Sequence, residues 1–203
     1  MKRVLGVGLC VWLLLLTGQA AQARPHEGWS AMGGFASFTS RGEFTDGLLD
    51  GETFEIKTSG YSIGADYQFA LSDRLSLNPI LMTSGESATS DELDVATASH
   101  GSIGAQIRYW WDAWFLGGQI ALNTENVVLE DERSDPLNGS SIGIGFVGGW
   151  ETASGWFVTI NTEGYNVSYK EPAAADTSVG GIRIQGGYRW ILDQDASSKT
   201  EVK

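Results

Sequence analysis

A possible nucleophile-and-base pair stands in the middle of the sequence, where His100 and Ser102 are separated by one glycine. Side chains two residues apart on a β-strand point to the same face of the sheet. A histidine on that face can activate a serine hydroxyl when a carboxylate orients its ring. The only other histidine, His26, precedes the first segment with a strand pattern. Whether His100 and Ser102 react therefore depends on the elements that carry them.

Acidic side chains are concentrated in three segments that could attract calcium or magnesium ions. They are Glu43, Asp46, Asp50 and Glu52; Asp91, Glu92 and Asp94; and Glu130, Asp131, Glu132 and Asp135. Their spacing does not follow that of an EF-hand loop, and the sequence has no cluster of histidine and cysteine for a transition metal. The formal net charge of −12 also disfavours binding to nucleic acid. We therefore expect solvated loops, no metal ion and no cofactor.

The first 23 residues contain the three regions of a secretory signal peptide. A charged start at Lys2 and Arg3 is followed by an apolar run of about thirteen residues and by an Ala-x-Ala site at Ala21 and Ala23. The run is shorter than the roughly 20 residues that a membrane-spanning helix needs. We expect cleavage after Ala23 and export. The mature chain would then contain no cysteine, because Cys10 is removed with the leader.

The mature sequence alternates apolar and polar residues with a period of two, which is typical of β-strands. In residues 61–69 and 103–111 the odd positions are apolar, whereas after Asp112 and Ala113 the apolar residues move to even positions. A two-residue hairpin produces this shift and places the flanking residues, Trp111 and Trp114, on the same face. The same alternation elsewhere brings the number of predicted strands to eight.

The predicted strands are joined alternately by short turns and long connections. Short turns are expected near 72–73, 112–113 and 151–155, and long connections rich in Asp, Glu, Ser and Thr at about 42–56, 85–98, 126–139 and 169–178. Large aromatic residues occur at the short-turn ends, namely Phe69, Tyr109, Trp111, Trp114, Trp150, Trp156, Tyr188 and Trp190. An aromatic girdle, short turns on one rim and long loops on the other are features of transmembrane β-barrels. We therefore predict an all-β fold over residues 24–192, a closed eight-stranded antiparallel up-and-down transmembrane β-barrel without an open edge in lipid.

The polar face of the predicted strands would line the barrel interior, which eight strands leave only wide enough for side chains. We predict that Arg108, Arg183 and Arg189 pair there with Asp66 and Glu163, because unpaired buried charges are costly. For Arg189 the sequence also allows the alternative that its side chain lies in water at the rim of the barrel. The other predicted inward residues are Gln68, Gln106, Gln119, Asn123, Asn161 and Gln185, with room made for them by Gly64, Gly104, Gly117, Gly143, Gly145, Gly149, Gly181 and Gly187.

With this pattern the mature chain resembles, over almost its whole length, the small eight-stranded outer-membrane barrels of the OmpA and OmpX group. Its Gln185-x-Gly187-x-x-Trp190-x-Leu192 is similar to the terminal-strand signal by which the barrel-assembly machinery recognises such proteins. The polar tail, 193–203, is too short for a peptidoglycan-binding domain. The resemblance implies a monomeric bacterial outer-membrane protein in contact with outer-membrane lipid and lipopolysaccharide, its short turns facing the periplasm. It also implies a non-catalytic role in envelope integrity or in surface interaction through the long acidic loops.

Three alternative functions stay open from the sequence alone. His100 and Ser102 vaguely resemble the catalytic pair of outer-membrane lipid A deacylases, which would make the chain a lipid A-modifying hydrolase. However, Ile103 stands where that family has asparagine, and no carboxylate follows at a comparable spacing. Reversal of the two strand faces would give a secreted lipocalin-like carrier with a small hydrophobic ligand inside. A narrow pore is the third alternative, although eight strands enclose little space.

Overall fold

The computed structural model describes residues 25–45, 50–91, 95–129, 136–169 and 174–192, and the regular structure in these ranges is β-strand. The predicted signal peptide 1–23, the tail 193–203 and the acidic residues Asp46, Glu92, Asp94, Glu130, Asp131, Glu132 and Asp135 lie outside these ranges. The strands are β1 (Gly28–Phe44), β2 (Thr53–Ser72), β3 (Leu75–Ser90), β4 (Val95–Trp111), β5 (Trp114–Leu129), β6 (Leu137–Glu151), β7 (Trp156–Tyr169) and β8 (Ala175–Ile191). Among the described residues there is no helix with the length and apolar character needed to cross a membrane.

The strands close into one barrel in sequence order, which confirms the predicted fold. Each strand pairs antiparallel with its neighbours, and β1 completes the ring by pairing with β8. A path that starts at Phe69 on β2 and steps from each residue to its partner on the next strand returns to β2 at Ser59 after one turn round the barrel. Ser59 lies ten residues nearer the opposite rim than Phe69 does. This stagger tilts the strands relative to the barrel axis.

A two-residue turn joins β4 to β5, also as predicted. Trp111 pairs with Trp114 across it, and both side chains are 45% exposed on the outer wall. Asp112 in the turn has a φ of 56°. Aspartate adopts this left-handed conformation more readily than most residues, and the tight hairpin turns require it.

The connections at the opposite rim are shorter than the sequence suggests. The strands contain 14 to 20 residues and take up most of the segments predicted as long connections, which leaves 45–52, 91–94, 130–136 and 170–174 between them. The prediction of long loops is therefore wrong in extent. These segments continue the strand pattern, because small polar residues facing outward alternate with buried apolar residues such as Phe54, Ile56 and Val127. Their high content of serine and threonine conceals that alternation.

The outer wall carries an apolar belt on the half of the barrel next to the tight turns. Its lower edge is the predicted aromatic girdle, in which Trp156 and Trp190 are 58% and 55% exposed. The register of the first strand, which the sequence leaves undetermined, places Trp29 in the same girdle. Toward the opposite rim the belt ends at Phe35, Tyr61, Leu81, Ile103, Leu122, Ile142, Ile160 and Ile182. We call the parts of the strands beyond these residues the collar.

The polarity of the interior reverses between the two parts of the barrel. Inside the belt the buried side chains are mostly polar, and all the polar residues predicted to point inward are buried. Inside the collar they form an apolar cluster that includes Phe44, Phe54, Ile56, Val127 and Leu137. Beyond the level of Glu86, His100 and Glu125, which are buried polar residues, the collar thus has the polar outside and apolar inside of a barrel in water, and the belt has the opposite arrangement. Such a reversal is expected where strands pass from an apolar to an aqueous environment.

Candidate functional site: the polar column inside the barrel

Two arginines share one buried carboxylate near the tight-turn end of the barrel. Nη2 of Arg108 lies 2.7 Å from Oδ2 of Asp66, and Nη1 of Arg189 lies 2.9 Å from Oδ1 of the same carboxylate. All three residues are buried, which confirms the predicted pairing. Arg189 is 0% exposed, so the alternative position in water at the rim is wrong.

Glu151 belongs to the same cluster, although the sequence pattern assigns it to a turn. Both of its carboxylate oxygens lie 3.2 Å from Nε of Arg189. Glu151 is the last residue of β6, and its buried side chain points inward. Its residue number is odd, like those of the inward residues Val147 and Gly149 on the same strand, and this alternation is the signal in the sequence that identifies Glu151 as an inward residue.

Amide side chains continue the polar column above the arginines. Nε2 of Gln106 donates to Oδ1 of Asn161 and to Oε1 of Gln119, both at 2.9 Å. Nδ2 of Asn161 donates to Oε1 of Gln185 at 3.3 Å, and Nε2 of Gln185 donates to Oγ of Ser62 at 2.9 Å. The bonds from Gln106 to Asn161 and from Gln185 to Ser62 connect strands that do not pair with each other, so the column cross-links the barrel through its interior.

Arg183 pairs with Glu163 at the next level, again as predicted. The other oxygen of this carboxylate, Oε2, accepts a hydrogen bond of 3.1 Å from Oγ of Ser102. The guanidinium carbon of Arg183 lies 4.8 Å from the centre of the Phe38 ring. Gly181 makes room for that ring, because a Cβ at this position would lie 1.9 Å from Cδ1 of Phe38. The predicted role of the inward glycines is therefore confirmed here.

A histidine between two glutamates closes the polar column where the belt meets the collar. Nδ1 of His100 lies 2.8 Å from Oε2 of Glu86, and its Nε2 lies 3.3 Å from Oε1 of Glu125. The imidazole stacks on Phe38 with the ring centres 4.0 Å apart. All three ionisable residues are buried. We call Glu86, His100 and Glu125 the His100 cluster.

Hydroxyl groups from three further strands donate to the glutamates of the His100 cluster. Oγ of Ser40 donates to Oε1 of Glu125 at 2.6 Å, and Oη of Tyr169 donates to Oε2 at 2.5 Å. Oγ1 of Thr58 donates to Oε2 of Glu86. The cluster therefore ties together β1, β2, β3, β4, β5 and β7 at one level of the barrel.

The His100 cluster is charged, and it lies beyond the belt. Its outward neighbour on β4 is Ser99, whereas the last belt residue of that strand, Ile103, is nearer the tight turn. Burial opposes a charge on His100, but the hydrogen bonds and charges of Glu125 and Glu86 raise its pKa to about 9. Burial also opposes the charge on both glutamates, yet contact with His100 holds the pKa of each carboxyl below its ordinary value. At neutral pH an imidazolium therefore lies between two carboxylates.

His100 and Ser102 are not arranged as a base and a nucleophile. Both ring nitrogens of His100 face carboxylates, and the hydroxyl of Ser102 is bound to Glu163. Both side chains are buried inside the barrel, away from the outer wall where the acyl chains of a lipid would lie. The connection predicted at about 85–98 would put His100 at the start of a strand beside a loop, which is wrong, because β4 begins at Val95 and carries the ring into the interior.

The described part of the chain contains no group of three or more His, Asp or Glu side chains arranged to hold a metal ion. The buried carboxylates are instead bound by arginine, by His100 and by hydroxyl groups. The largest fully buried side chains, among them Arg108, Arg183 and Arg189, fill the space that the wall encloses. The column therefore joins strands across the interior of the barrel.

Solved structures with a similar fold include bacterial outer-membrane proteins. Ail, the attachment invasion locus protein of Yersinia pestis, is 15% identical with a TM-score of 0.53, over 81% of this chain and 99% of Ail. The outer membrane protein OprG from Pseudomonas aeruginosa is 10% identical with a TM-score of 0.54, over 85% of this chain and 100% of OprG. AlkL, an outer membrane protein solved in DMPC bilayers, is 10% identical with a TM-score of 0.50, over 87% of this chain and 96% of AlkL. No protein-family model and no curated protein matches the chain.

At these identities the likeness concerns the fold. It agrees with the closed ring of antiparallel strands, with the stagger between them and with the apolar outer wall. The chain has the fold of the small eight-stranded outer-membrane β-barrels.

Proposed function

We propose that this chain is a non-catalytic bacterial outer-membrane protein, exported by a cleaved signal peptide and inserted as a monomer. The apolar belt is the observation that carries the proposal, with Trp111, Trp114 and Trp156 exposed along its lower edge. Soluble proteins rarely expose a continuous apolar surface of this extent, whereas a barrel in lipid requires one. The polar column inside the belt speaks against a lipocalin-like carrier, whose interior would be apolar.

The proposal is tested by expressing the full-length chain in a Gram-negative host and separating its membranes. We expect the protein in the outer-membrane fraction and its mature N-terminus after Ala23. We also expect the unboiled protein to migrate differently from the boiled protein in SDS electrophoresis, since a closed barrel with an internal polar network resists unfolding by the detergent. Recovery in the soluble fraction, or identical mobility of the two samples, would contradict the proposal.

A role without catalysis is supported by the burial of His100 and Ser102 inside the wall and by their separate carboxylate partners. A lipid A hydrolase needs its nucleophile where the acyl chains of the lipid can reach it. We expect cells that express the chain to keep all acyl chains of their lipid A. Loss of one chain, abolished by His100→Ala, would favour the hydrolase instead.

A surface role is supported by the collar rather than by long loops. The strands of the collar surround an apolar cluster and present a polar outer surface beyond the belt, although β6 and β7 pair only from Ile144 and Gly164 toward the tight turn. Passage of solutes through the barrel interior is disfavoured, since arginine side chains and the apolar cluster fill it. The molecules in direct contact are expected to be outer-membrane lipid and lipopolysaccharide.

Ail has been crystallised with the heparin analogue sucrose octasulfate. For this chain we propose that sulfated polyanions are not the ligand. The described outward cations of the collar are Arg41 and Lys57, and both are bound by the carboxylate of Glu55. The formal net charge of −12 adds repulsion of polyanions. We expect no retention of the purified protein on immobilised heparin at physiological salt.

Assembly is proposed to involve recognition of β8 by the barrel-assembly machinery. Trp190 and Leu192 lie on the outer wall, 55% and 49% exposed, at the end of the last strand. Gln185 faces the interior from the same strand. This arrangement supports the terminal-strand signal inferred from the sequence, and we expect Trp190→Ala to lower the yield of assembled barrel in the outer membrane.

A further inference from the structure

Five consecutive strands of the collar present an outer surface without charged side chains. Beyond the belt, the outward residues of β3 to β7 are mainly serine, threonine and asparagine. We call this surface the neutral face, and its polar members are Thr83, Ser87, Thr89, Thr97, Ser99, Thr124, Asn126, Asn138, Ser140, Thr162, Asn166 and Ser168. The charged outward residues of the described collar lie on the other three strands and are Arg41, Glu43, Glu55, Lys57 and Asp176.

We propose that the neutral face binds the sugar portion of the lipopolysaccharide molecules whose acyl chains cover the belt. This inference rests on the proposed function, because it requires the belt to lie in the outer leaflet of an outer membrane. The inference identifies the surface of the chain that contacts the lipid headgroup and the part of the lipid that this surface recognises.

The polar groups of the neutral face are ordered in rows across the strands. One row runs through Gly85, Ser99, Asn126 and Asn138, and the row nearer the belt runs through Thr83, Gly101, Thr124 and Ser140. Neighbouring strands lie about 4.8 Å apart, so hydroxyl and amide groups recur at a short and regular interval. Such a surface offers both donors and acceptors, which suits a ligand covered with hydroxyl groups.

Gly85, in the row farther from the belt, has open space where a side chain would lie. A Cβ placed at Gly85 would meet no atom within 4 Å. Gly85 pairs with Ser99, and Ser87 lies two residues further along the same strand. The backbone at Gly85 is therefore open to a ligand between these hydroxyl groups.

The position of the neutral face favours the lipid headgroup over a distant partner. On β5 the face begins at Thr124, the first outward residue after the last belt residue, Leu122, and on β6 it begins at Ser140, directly after Ile142. The sugars of lipopolysaccharide lie at this depth because they are covalently joined to the acyl chains. Each lipid that covers the belt is therefore already held beside the neutral face. Individually weak hydrogen bonds then act at a high effective concentration.

The outward charges of the collar strands are unevenly distributed. Lipopolysaccharide carries anionic groups, and an acidic surface would repel them. The collar strands β3 to β7 present no outward carboxylate to these groups, whereas the connections 91–94 and 130–136, which join four of these strands, contain seven acidic residues. On the charged side Glu43 and Asp176 lie on neighbouring strands, where they pair directly, and the anionic groups of the lipid would meet both carboxylates.

The test compares the full chain in three bilayers, made of phospholipid alone, with lipopolysaccharide that bears its core sugars, and with lipopolysaccharide truncated to lipid A. The measurement is the temperature at which the SDS-resistant folded form is lost. We expect the core sugars to raise this temperature by several degrees over lipid A alone. The variant Ser99→Val, Thr124→Val, Ser140→Val removes three hydroxyl groups of the neutral face with residues that favour strands, and we expect it to lose most of that rise.

The matched control is Thr39→Val, Ser59→Val, Ser178→Val, which removes three outward hydroxyl groups on the charged side of the collar. We expect it to keep the rise caused by the core sugars, and all three proteins to unfold at similar temperatures in phospholipid. No effect of the core sugars on the wild type, or an equal loss in both triple variants, would overturn the inference. Failure of the wild type to insert into any of the bilayers would instead contradict the proposed function.

Discussion

Asp66 of β2 is bound from two sides by arginines of strands that do not pair with β2, Arg108 of β4 at 2.7 Å and Arg189 of β8 at 2.9 Å. The carboxylate therefore reaches across the interior instead of along the wall. One buried acid joins three strands that share no backbone hydrogen bonds with one another. The polar column thus adds connections that the sheet itself does not supply.

Asp66→Asn is expected to lower the free energy of unfolding by about 3–5 kcal/mol, because two buried guanidinium groups lose the carboxylate that they share. Urea unfolding in lipid vesicles, followed by tryptophan fluorescence, measures the loss. Glu55→Gln is the control, since it makes the same chemical change in a surface pair with Arg41 and Lys57. A similar loss in both variants would show that the internal position of Asp66 is unimportant.

His100→Gln is expected to destabilise the protein most between pH 4.5 and pH 6.5, the ordinary pKa values of glutamate and histidine. The pKa of His100 is raised to about 9, so the imidazolium gives its full stabilisation below pH 6.5 and loses it as the pH rises through 9. The shift corresponds to about 3 kcal/mol. The pKa values of Glu86 and Glu125 are lowered, so their contribution is present above pH 4.5 and is lost as the pH falls.

The measurement for His100→Gln is the difference in unfolding free energy from the wild type over a series of pH values in the same vesicles. We expect this difference to shrink toward both ends of the series. A difference that does not change with pH would exclude a charged His100 in the folded barrel. Ser99→Gln changes the outward neighbour on the same strand and controls for effects on β4 itself.

Gly181→Ala is expected to cost about 1–3 kcal/mol of stability, as overpacking of a filled interior does. The new methyl group would lie 1.9 Å from Cδ1 of Phe38, which is enclosed between His100 and Arg183. Gly180→Ala is the control on the adjacent outward position, where a Cβ meets no atom within 4 Å. We expect the control to be neutral or slightly stabilising in the same urea titration.

Phe146→Arg is expected to cost about 2–4 kcal/mol in a bilayer, because it places a charge on the lipid face of the belt. The ring of Phe146 is 71% exposed on the outer wall of β6. Ser140→Arg places the same charge on the same face of this strand, but beyond the belt. We expect it to fold as well as the wild type. If the two variants lose the same stability, the belt does not end where the structure indicates.

The belt and the lower polar column follow from the sequence because period-two alternation and one tight hairpin determine which face each residue occupies. Arg108, Arg183 and Asp66 could be assigned to the interior in this way, and their pairing follows from the cost of burying an unpaired charge. Which arginine pairs with which carboxylate is harder to predict from the sequence. Asp66 and Arg189 are 123 residues apart, and the stagger of the closed barrel is what brings them to the same level.

The His100 cluster and the collar could not be predicted from the same pattern. Glu86 lies in a segment whose serine and threonine content indicates a loop, although its position is in step with the inward Ser84 and Met82. Glu125 also lies in step with the inward Asn123 on β5. Beyond the His100 cluster the interior becomes apolar, so polar residues point inward in one part of a strand and outward in another part of the same strand.

The boundary between the apolar outer wall of the belt and the polar outer wall of the collar determines how deep the protein lies in the membrane. A bilayer thicker than the belt would dehydrate the hydroxyl groups just above Leu122 and Ile142, and a thinner one would bring the apolar rings around Trp114 into water. Sliding along the membrane normal is unfavourable in both directions, so the height of the outer rim above the lipid is set by the chain itself. The outer membrane of bacteria is thinner than an average bilayer, so the proposed location sets a definite thickness that the height of the belt has to match.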